Sequence, residues 1–184
     1  MLLSLAERMI RRRLHALGVR SGEVTTAVGD LHYYEVEGPV DAPPLVILHG
    51  FGANATSYAR VLAHLRTRVG RILVPDLPAH GFSGARPSVM TIELAYAGLS
   101  ELLLRKIDRP AVVFGNSLGG AFALRFALDP PERVHGLFLS SPAGAALDAQ
   151  DFANLRDLFR VGSFGHARRL IDSLTHQPAW YNPL

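Results

Sequence analysis

From residue 45 onward, short apolar bursts alternate with longer amphipathic segments, and this rhythm limits the fold more than any other feature of the chain. The bursts Leu45 to Leu48, 71 to 75, 111 to 115 and 134 to 140 read as strands, and about 56 to 66, 91 to 106 and 118 to 128 read as helices. A strand with one wet face alternates apolar and polar residues, whereas a strand covered on both faces is apolar throughout. The pattern therefore predicts an α/β fold, a mostly parallel sheet with helices on both faces.

Ahead of this body, Leu2, Leu3, Ala6, Met9, Ile10, Leu14 and Leu17 recur at helical spacing, with Arg8, Arg11, Arg12 and Arg13 mostly between them and Gly18 as the stop. The apolar stripe of this helix is expected to pack on its own domain or on a neighbouring subunit, which would make a homo-oligomer. The alternative is peripheral contact with an anionic membrane surface. Val24 to Val28 and Leu31 to Glu37 read as a hairpin turning at Gly29-Asp30. Beyond Pro142, Phe152, Leu155, Leu158 and Phe159, then Ala167, Leu170, Ile171 and Leu174, mark two successive helices with no strand between them. The expected domains are thus an N-terminal helix at 1–18, a core at 19–142 and a helical segment at 143–184.

Composition removes several function classes. Apolar residues make up 48% of the 184 positions and charged residues 19%, as in a globular chain. There is no cysteine, so disulfides, thiolate metal sites and a thiol nucleophile are excluded. The net charge is +3, with Lys106 the only lysine and the arginines spread along helices, which argues against a nucleic-acid partner. The arginines at the N-terminus follow the apolar residues instead of preceding them, so no secretory signal is read and a cytoplasmic protein is expected.

Gly115-Asn116-Ser117-Leu118-Gly119 follows one apolar burst directly and opens the next helix. In that setting a sharp strand-to-helix turn raises the serine above the sheet, and small neighbours keep the turn free of clashes, which makes Ser117 the candidate nucleophile. Gly120 would allow tight helix packing. His49-Gly50-Phe51-Gly52 closes an earlier burst, and its backbone can turn back over the sheet. Acyl transfer develops an oxyanion, and backbone N–H groups aimed at it stabilise the transition state; Phe51 and Leu118 are the candidate donors. His49 is expected to be a hydrogen-bonded anchor. In the loop Pro75 to Gly84, Asp76 and His80 are expected to be satisfied by local backbone groups.

These three motifs, His49-Gly50-Phe51-Gly52, Asp76 to Gly81 and Gly115 to Gly119, resemble the ordered signature of the α/β-hydrolase superfamily over about Tyr33 to Pro142. The resemblance implies a serine esterase-like mechanism without cofactor or metal, and a helical cap inserted after the strand that ends near Ser140. Ala79 stands where the family's loop usually has glycine. Asn116 replaces the commoner histidine, a choice shared with relatives that cleave carbon–carbon bonds. Ser at 117 sets aside the branches that attack with a carboxylate. Gly50, Asn116 and Phe152 are the candidate substrate contacts.

In the family the catalytic acid and histidine follow the cap, on loops after two further strands, and no such strands are read in the 184 residues, so the fold is expected to be truncated after the start of the cap. His135, His166 and His176 read as surface or packing residues, and Asp148 as either a substitute acid or a helix N-cap. The strand from Val134 would then be an open apolar edge. The expected function is hydrolysis of carboxylic esters or related acyl compounds, on a small hydrophobic substrate suited to Phe152, Leu155 and Phe159. The alternatives are a carbon–carbon bond hydrolase of the same fold and a non-catalytic chain that binds through its open edge.

Overall fold

The computed structural model describes residues 2–84, 86, 88–146, 148–159 and 162–174, apart from the side chains of 2–6, 152, 158, 164, 171 and 174. The chain forms two compact units, residues 1–144 and 145–184.

The first unit holds helix α1 (Leu2–Ala16), strands β1 (Arg20–Thr26), β2 (Gly29–Val36) and β3 (Leu45–Leu48), and a single helical turn (Ala55–Tyr58) leading into α2 (Ala59–Leu65). β4 (Ile72–Pro75), α3 (Ile92–Lys106), β5 (Ala111–Asn116), α4 (Leu118–Leu128) and β6 (Val134–Ser140) complete it. The strands form one sheet in the order β1-β2-β4-β3-β5-β6. β2 runs antiparallel to β1 and β4, and β3, β4, β5 and β6 are mutually parallel.

The apolar bursts are continuous because the sheet separates two cores. Successive side chains of a strand point to opposite faces. Leu31, Val46, Leu48, Leu73 and Val113 therefore join Leu99, Leu102, Phe122 and Phe126 of α3 and α4 on one side. Tyr34, Ile47, Ile72 and Val74 join Leu14 of α1 and Leu62 of α2 on the other. Burying a large apolar side chain contributes about 1.5–3 kcal/mol, so a polar residue at any of these strand positions would be costly.

α1 ends as its Gly18 stop requires. Gly18 takes φ 83, Val19 N–H donates to Leu14 O at 3.0 Å, and Gly18 N–H donates to His15 O at 3.0 Å. This left-handed cap brings Val19 onto Leu14, and both are buried. α1 packs on its own unit through Leu14 and Ile10. Met9, expected in the buried stripe, is instead 52% exposed, and Leu17 is 37% exposed. Of the stripe's described side chains in α1, Ile10 and Leu14 turn to the core and Met9 does not.

The hairpin turns earlier than expected. Thr26 pairs with Gly29, which leaves Ala27 and Val28 as a two-residue loop in place of Gly29-Asp30. Thr26 Oγ1 donates to Gly29 O at 2.7 Å and closes the turn. Val28 is buried against α3, where a Cβ on Gly98 would lie 2.1 Å from Val28 Cγ2. A long-range notch in α3 thus holds the turn where local turn chemistry alone would not put it.

Among the described residues β6 pairs with β5 only. Phe138 is 63% exposed and Leu137 37% exposed, so this edge presents apolar side chains to solvent. The second unit contains α5 (Ala149–Leu158) and α6 (Phe164–Leu174), the two successive helices expected there. Among the described residues no helix is long and apolar enough to cross a membrane.

Candidate active site

β3 and β5 lie side by side, and the helices that follow them, α2 and α4, pack on opposite faces of the sheet. At such a switch point the connecting loops diverge and leave a crevice beyond the carboxyl ends of the strands. Both glycine-rich motifs are found there.

At the end of β5 the chain reverses into α4 within one residue, and Ser117 carries the reversal at φ 51, ψ −118. A non-glycine residue held in such a region costs about 1–3 kcal/mol and persists only where its surroundings determine it. Here Ser117 N–H donates to Ser140 O at 3.1 Å, and Ser117 O accepts from Ala121 N–H at 3.1 Å and Ala143 N–H at 2.9 Å. The turn also needs its glycines. A Cβ at Gly115 would lie 2.3 Å from Gly119 O, and one at Gly119 would lie 2.4 Å from Leu48 O. Gly120 meets Pro142 at 2.9 Å in the same way. Leu118 N–H, the first of α4, has no acceptor among the described residues. Asn116 is half-buried beside it, with its amide Nδ2 donating to Ser140 Oγ at 3.5 Å.

The loop after β3 packs directly on this elbow, since a Cβ on Gly50 would lie 3.1 Å from both Ser117 Cβ and Asn116 Oδ1. Gly52 takes φ 72, which turns the loop back. Phe51 is exposed, with its ring edge-on to His80 at 5.6 Å. The structure thus brings Gly50, Phe51, Asn116, Ser117 and Leu118 together at one sheet end.

His49 anchors the loop from below. It is fully buried; Nδ1–H donates to Gly50 O at 2.9 Å, and Nε2 accepts from Leu77 N–H at 3.0 Å. Burial holds its pKa below the ordinary value, and an Nε2 that accepts a hydrogen bond carries no proton. The 4.0 Å approach of Asp76 to that nitrogen is therefore not an ion pair.

Asp76 is held more widely than its sequence context suggests. Its carboxylate accepts Ala55 N–H at 2.6 Å and Phe82 N–H at 3.1 Å, and it also faces His32 Nδ1 at 2.9 Å. Ala55 and His32 are distant in sequence, so this group ties β2 and the helical turn ahead of α2 to its own loop, beyond the local backbone contacts expected of it. His80 Nδ1 does stay local, at 2.9 Å from Pro78 O. His32 escaped sequence reasoning: it is buried, but it sits in a strand of mixed polarity beside Asp30 and Glu35, with no motif around it.

The remaining candidates lie elsewhere. Asp148 caps α5, its carboxylate accepting Asp151 N–H at 2.8 Å, so the N-cap alternative is the role the structure shows. Phe152 is on α5 in the second unit, and its side chain falls outside the described residues. His135 is exposed on β6; His166 on α6 accepts from Gly162 N–H at 3.3 Å; His176 falls outside the described residues. Among the described residues no group hydrogen-bonds Ser117 Oγ.

Residues 43–172 match the family model of the alpha/beta hydrolase fold, which covers the sheet from β3 onward and both glycine-rich motifs. The chain belongs to the alpha/beta hydrolase fold family. Within it, the chain is 37% identical over 132 residues to the magnesium-chelatase 30 kDa subunit of Rhodobacter capsulatus, covering 70% of this chain and 44% of that protein. It is 34% identical over 123 residues to Lipase 1 of Psychrobacter immobilis, covering 66% of this chain and 38% of that one. The naproxen esterase of Bacillus subtilis has a similar fold, with a TM-score of 0.76 at 22% identity over 96% of this chain and 62% of that one. This alpha/beta hydrolase chain spans less than half the length of either curated relative.

Proposed function

We propose that the chain carries the nucleophile and oxyanion-binding half of a serine hydrolase acting on carboxylic esters or related acyl compounds. The observation that carries this reading is Ser117 at φ 51, ψ −118, a strained backbone position at the mouth of the switch-point crevice beside the unbonded Leu118 N–H. Ser117 Oγ attacks the acyl carbon, the carbonyl π pair moves to oxygen, and the tetrahedral oxyanion takes the N–H groups of Leu118 and Phe51. The partial positive charge at the N-terminus of α4 favours the same anion. Collapse expels the alcohol, and water then releases the acid. The Ser117 proton passes to a general base, which returns it to the departing alkoxide; among the described residues no group stands at hydrogen-bonding distance of Ser117 Oγ to take that role, and His49 is occupied by Leu77 and Gly50.

Likeness in sequence to a lipase supports the ester over other acyl substrates. The relative bearing a magnesium-chelatase subunit name favours a second reading, a hydrolase-fold chain working within a larger enzyme. Turnover of a panel of aryl esters and vinylogous diketones separates the readings. Ester hydrolysis that disappears in Ser117→Ala supports the first; cleavage of diketones alone would make it a carbon–carbon hydrolase. No turnover of either class by the native protein would favour the subunit reading.

A further inference from the structure

We infer that the outer face of α1 docks on an anionic lipid bilayer. At 3.6 residues per turn, Arg8, Arg12, Met9 and Arg13 fall within roughly 140° of arc, opposite Ile10 and Leu14, which face the core. Arg8, Arg12 and Arg13 are exposed, and their guanidinium groups make no hydrogen bond or ion pair among the described residues. Six other arginines of the first unit, Arg20, Arg71, Arg86, Arg105, Arg109 and Arg125, each meet a carboxylate, whereas α1 gathers three that do not on one face. Met9, more than half exposed between the unpaired arginines, adds an apolar side chain to the same face.

Three uncompensated guanidinium groups around an exposed apolar side chain complement a bilayer of anionic headgroups, where the arginines take the phosphates and Met9 enters the acyl boundary. A nucleic-acid duplex would use the same charges but has no place for Met9.

The inner face of α1 reaches the segments that follow β3 and β4. Glu7 Oε1 accepts from Asn54 Nδ2 at 2.6 Å in the segment that follows the β3 loop, and the Arg11 guanidinium lies 5.0 Å over the Phe82 ring. A bilayer on the outer face would therefore lie about one helix diameter, roughly 10 Å, from those segments. Such a surface would deliver apolar substrates to a membrane-bound catalyst, but the docking itself does not depend on the ester reading.

The test is co-sedimentation of the native protein with vesicles of phosphatidylcholine alone and of phosphatidylcholine mixed equally with phosphatidylglycerol, with a short DNA duplex as a parallel arm. The expected result is binding to the anionic vesicles only, weakened by added salt. Each arginine near the surface is worth about fivefold in affinity, so Arg8→Gln/Arg12→Gln/Arg13→Gln should weaken binding by about 100-fold while its circular dichroism and thermal unfolding match the native protein. Equal binding to neutral vesicles, no vesicle binding, full binding by the triple variant, or binding to the duplex in place of vesicles would overturn the inference. Because no turnover is read, failure here leaves the hydrolase proposal standing, and failure of that proposal leaves vesicle binding unchanged.

Discussion

Ala79 occupies the third position of the turn Leu77 to His80, which His80 N–H closes on Leu77 O at 2.9 Å, and it sits at φ 63. Turns with proline second and a positive φ third favour glycine there, which gives the family's usual glycine a physical reason. A left-handed alanine costs about 1–2 kcal/mol and glycine returns part of that as unfolded-chain entropy. Ala79→Gly is therefore expected to stabilise the fold by about 0.5–1 kcal/mol, read as a shift in the urea midpoint. Ser117→Gly should also stabilise, by about 1 kcal/mol, while abolishing any acyl transfer. His49 gives a pH dependence. Its ordinary value is 6.5 and burial lowers it in the folded chain. Above that value the imidazole is neutral in both states; below it the unfolded chain takes up a proton that the folded chain resists, so stability falls as pH drops. Urea unfolding across about pH 5 to 8 should show this slope, and His49→Gln should flatten it. At this scale the elbow and the β3 loop were legible because close backbone approach demands glycine and leaves a spaced pattern. The Asp76–His32 contact was not, because it joins a residue of β2 to one in the loop after β4, far apart in the chain and with no joint signature.

The elements were legible wherever both of their faces are covered. β3, β4 and β5 appear in the sequence as unbroken apolar runs because each divides two cores, and α3 shows its start in Thr91, whose hydroxyl accepts Leu94 N–H at 3.2 Å. The hairpin turn was misplaced by local chemistry because its position depends on a cleft at Gly98, far along the chain. Likewise, helical spacing could not tell which apolar residues of α1 face the core, and Met9 lies outside. The seating of α4 on β3 offers the sharpest test of an element. A methyl at Gly119 would meet the Leu48 carbonyl, so Gly119→Ala should force the helix off the sheet. Overpacking of this kind costs about 1–3 kcal/mol. Differential scanning calorimetry should find the loss in Tm, and because Leu118 N–H moves with the helix, Ser117 reactivity should fall with it.

At the level of the whole molecule, the sheet of the first unit ends, among the described residues, in β1 on one side and in the apolar β6 on the other. Phe114 and Phe138 stack at 5.6 Å and, with Tyr58 and Val61, line an entirely apolar groove of about 340 Å³ on the α2 side of that edge. β6 has none of the lysines or prolines that keep exposed edges from pairing. Concentration-dependent self-association is expected in sedimentation velocity, and Phe138→Lys should suppress it without lowering Tm. The apolar bursts announced such an edge; the groove beside it was not legible, since it depends on how α2 lies across three strands. The central claim is narrower, that this fold presents Ser117 as a nucleophile. Intact-mass analysis of the folded protein after treatment with a serine-reactive phosphonate tests it most directly. The expected result is one adduct, mapped to Ser117 and absent from Ser117→Ala and from urea-unfolded protein; a folded protein with no adduct at Ser117, or with equal labelling in Ser117→Ala, would contradict it.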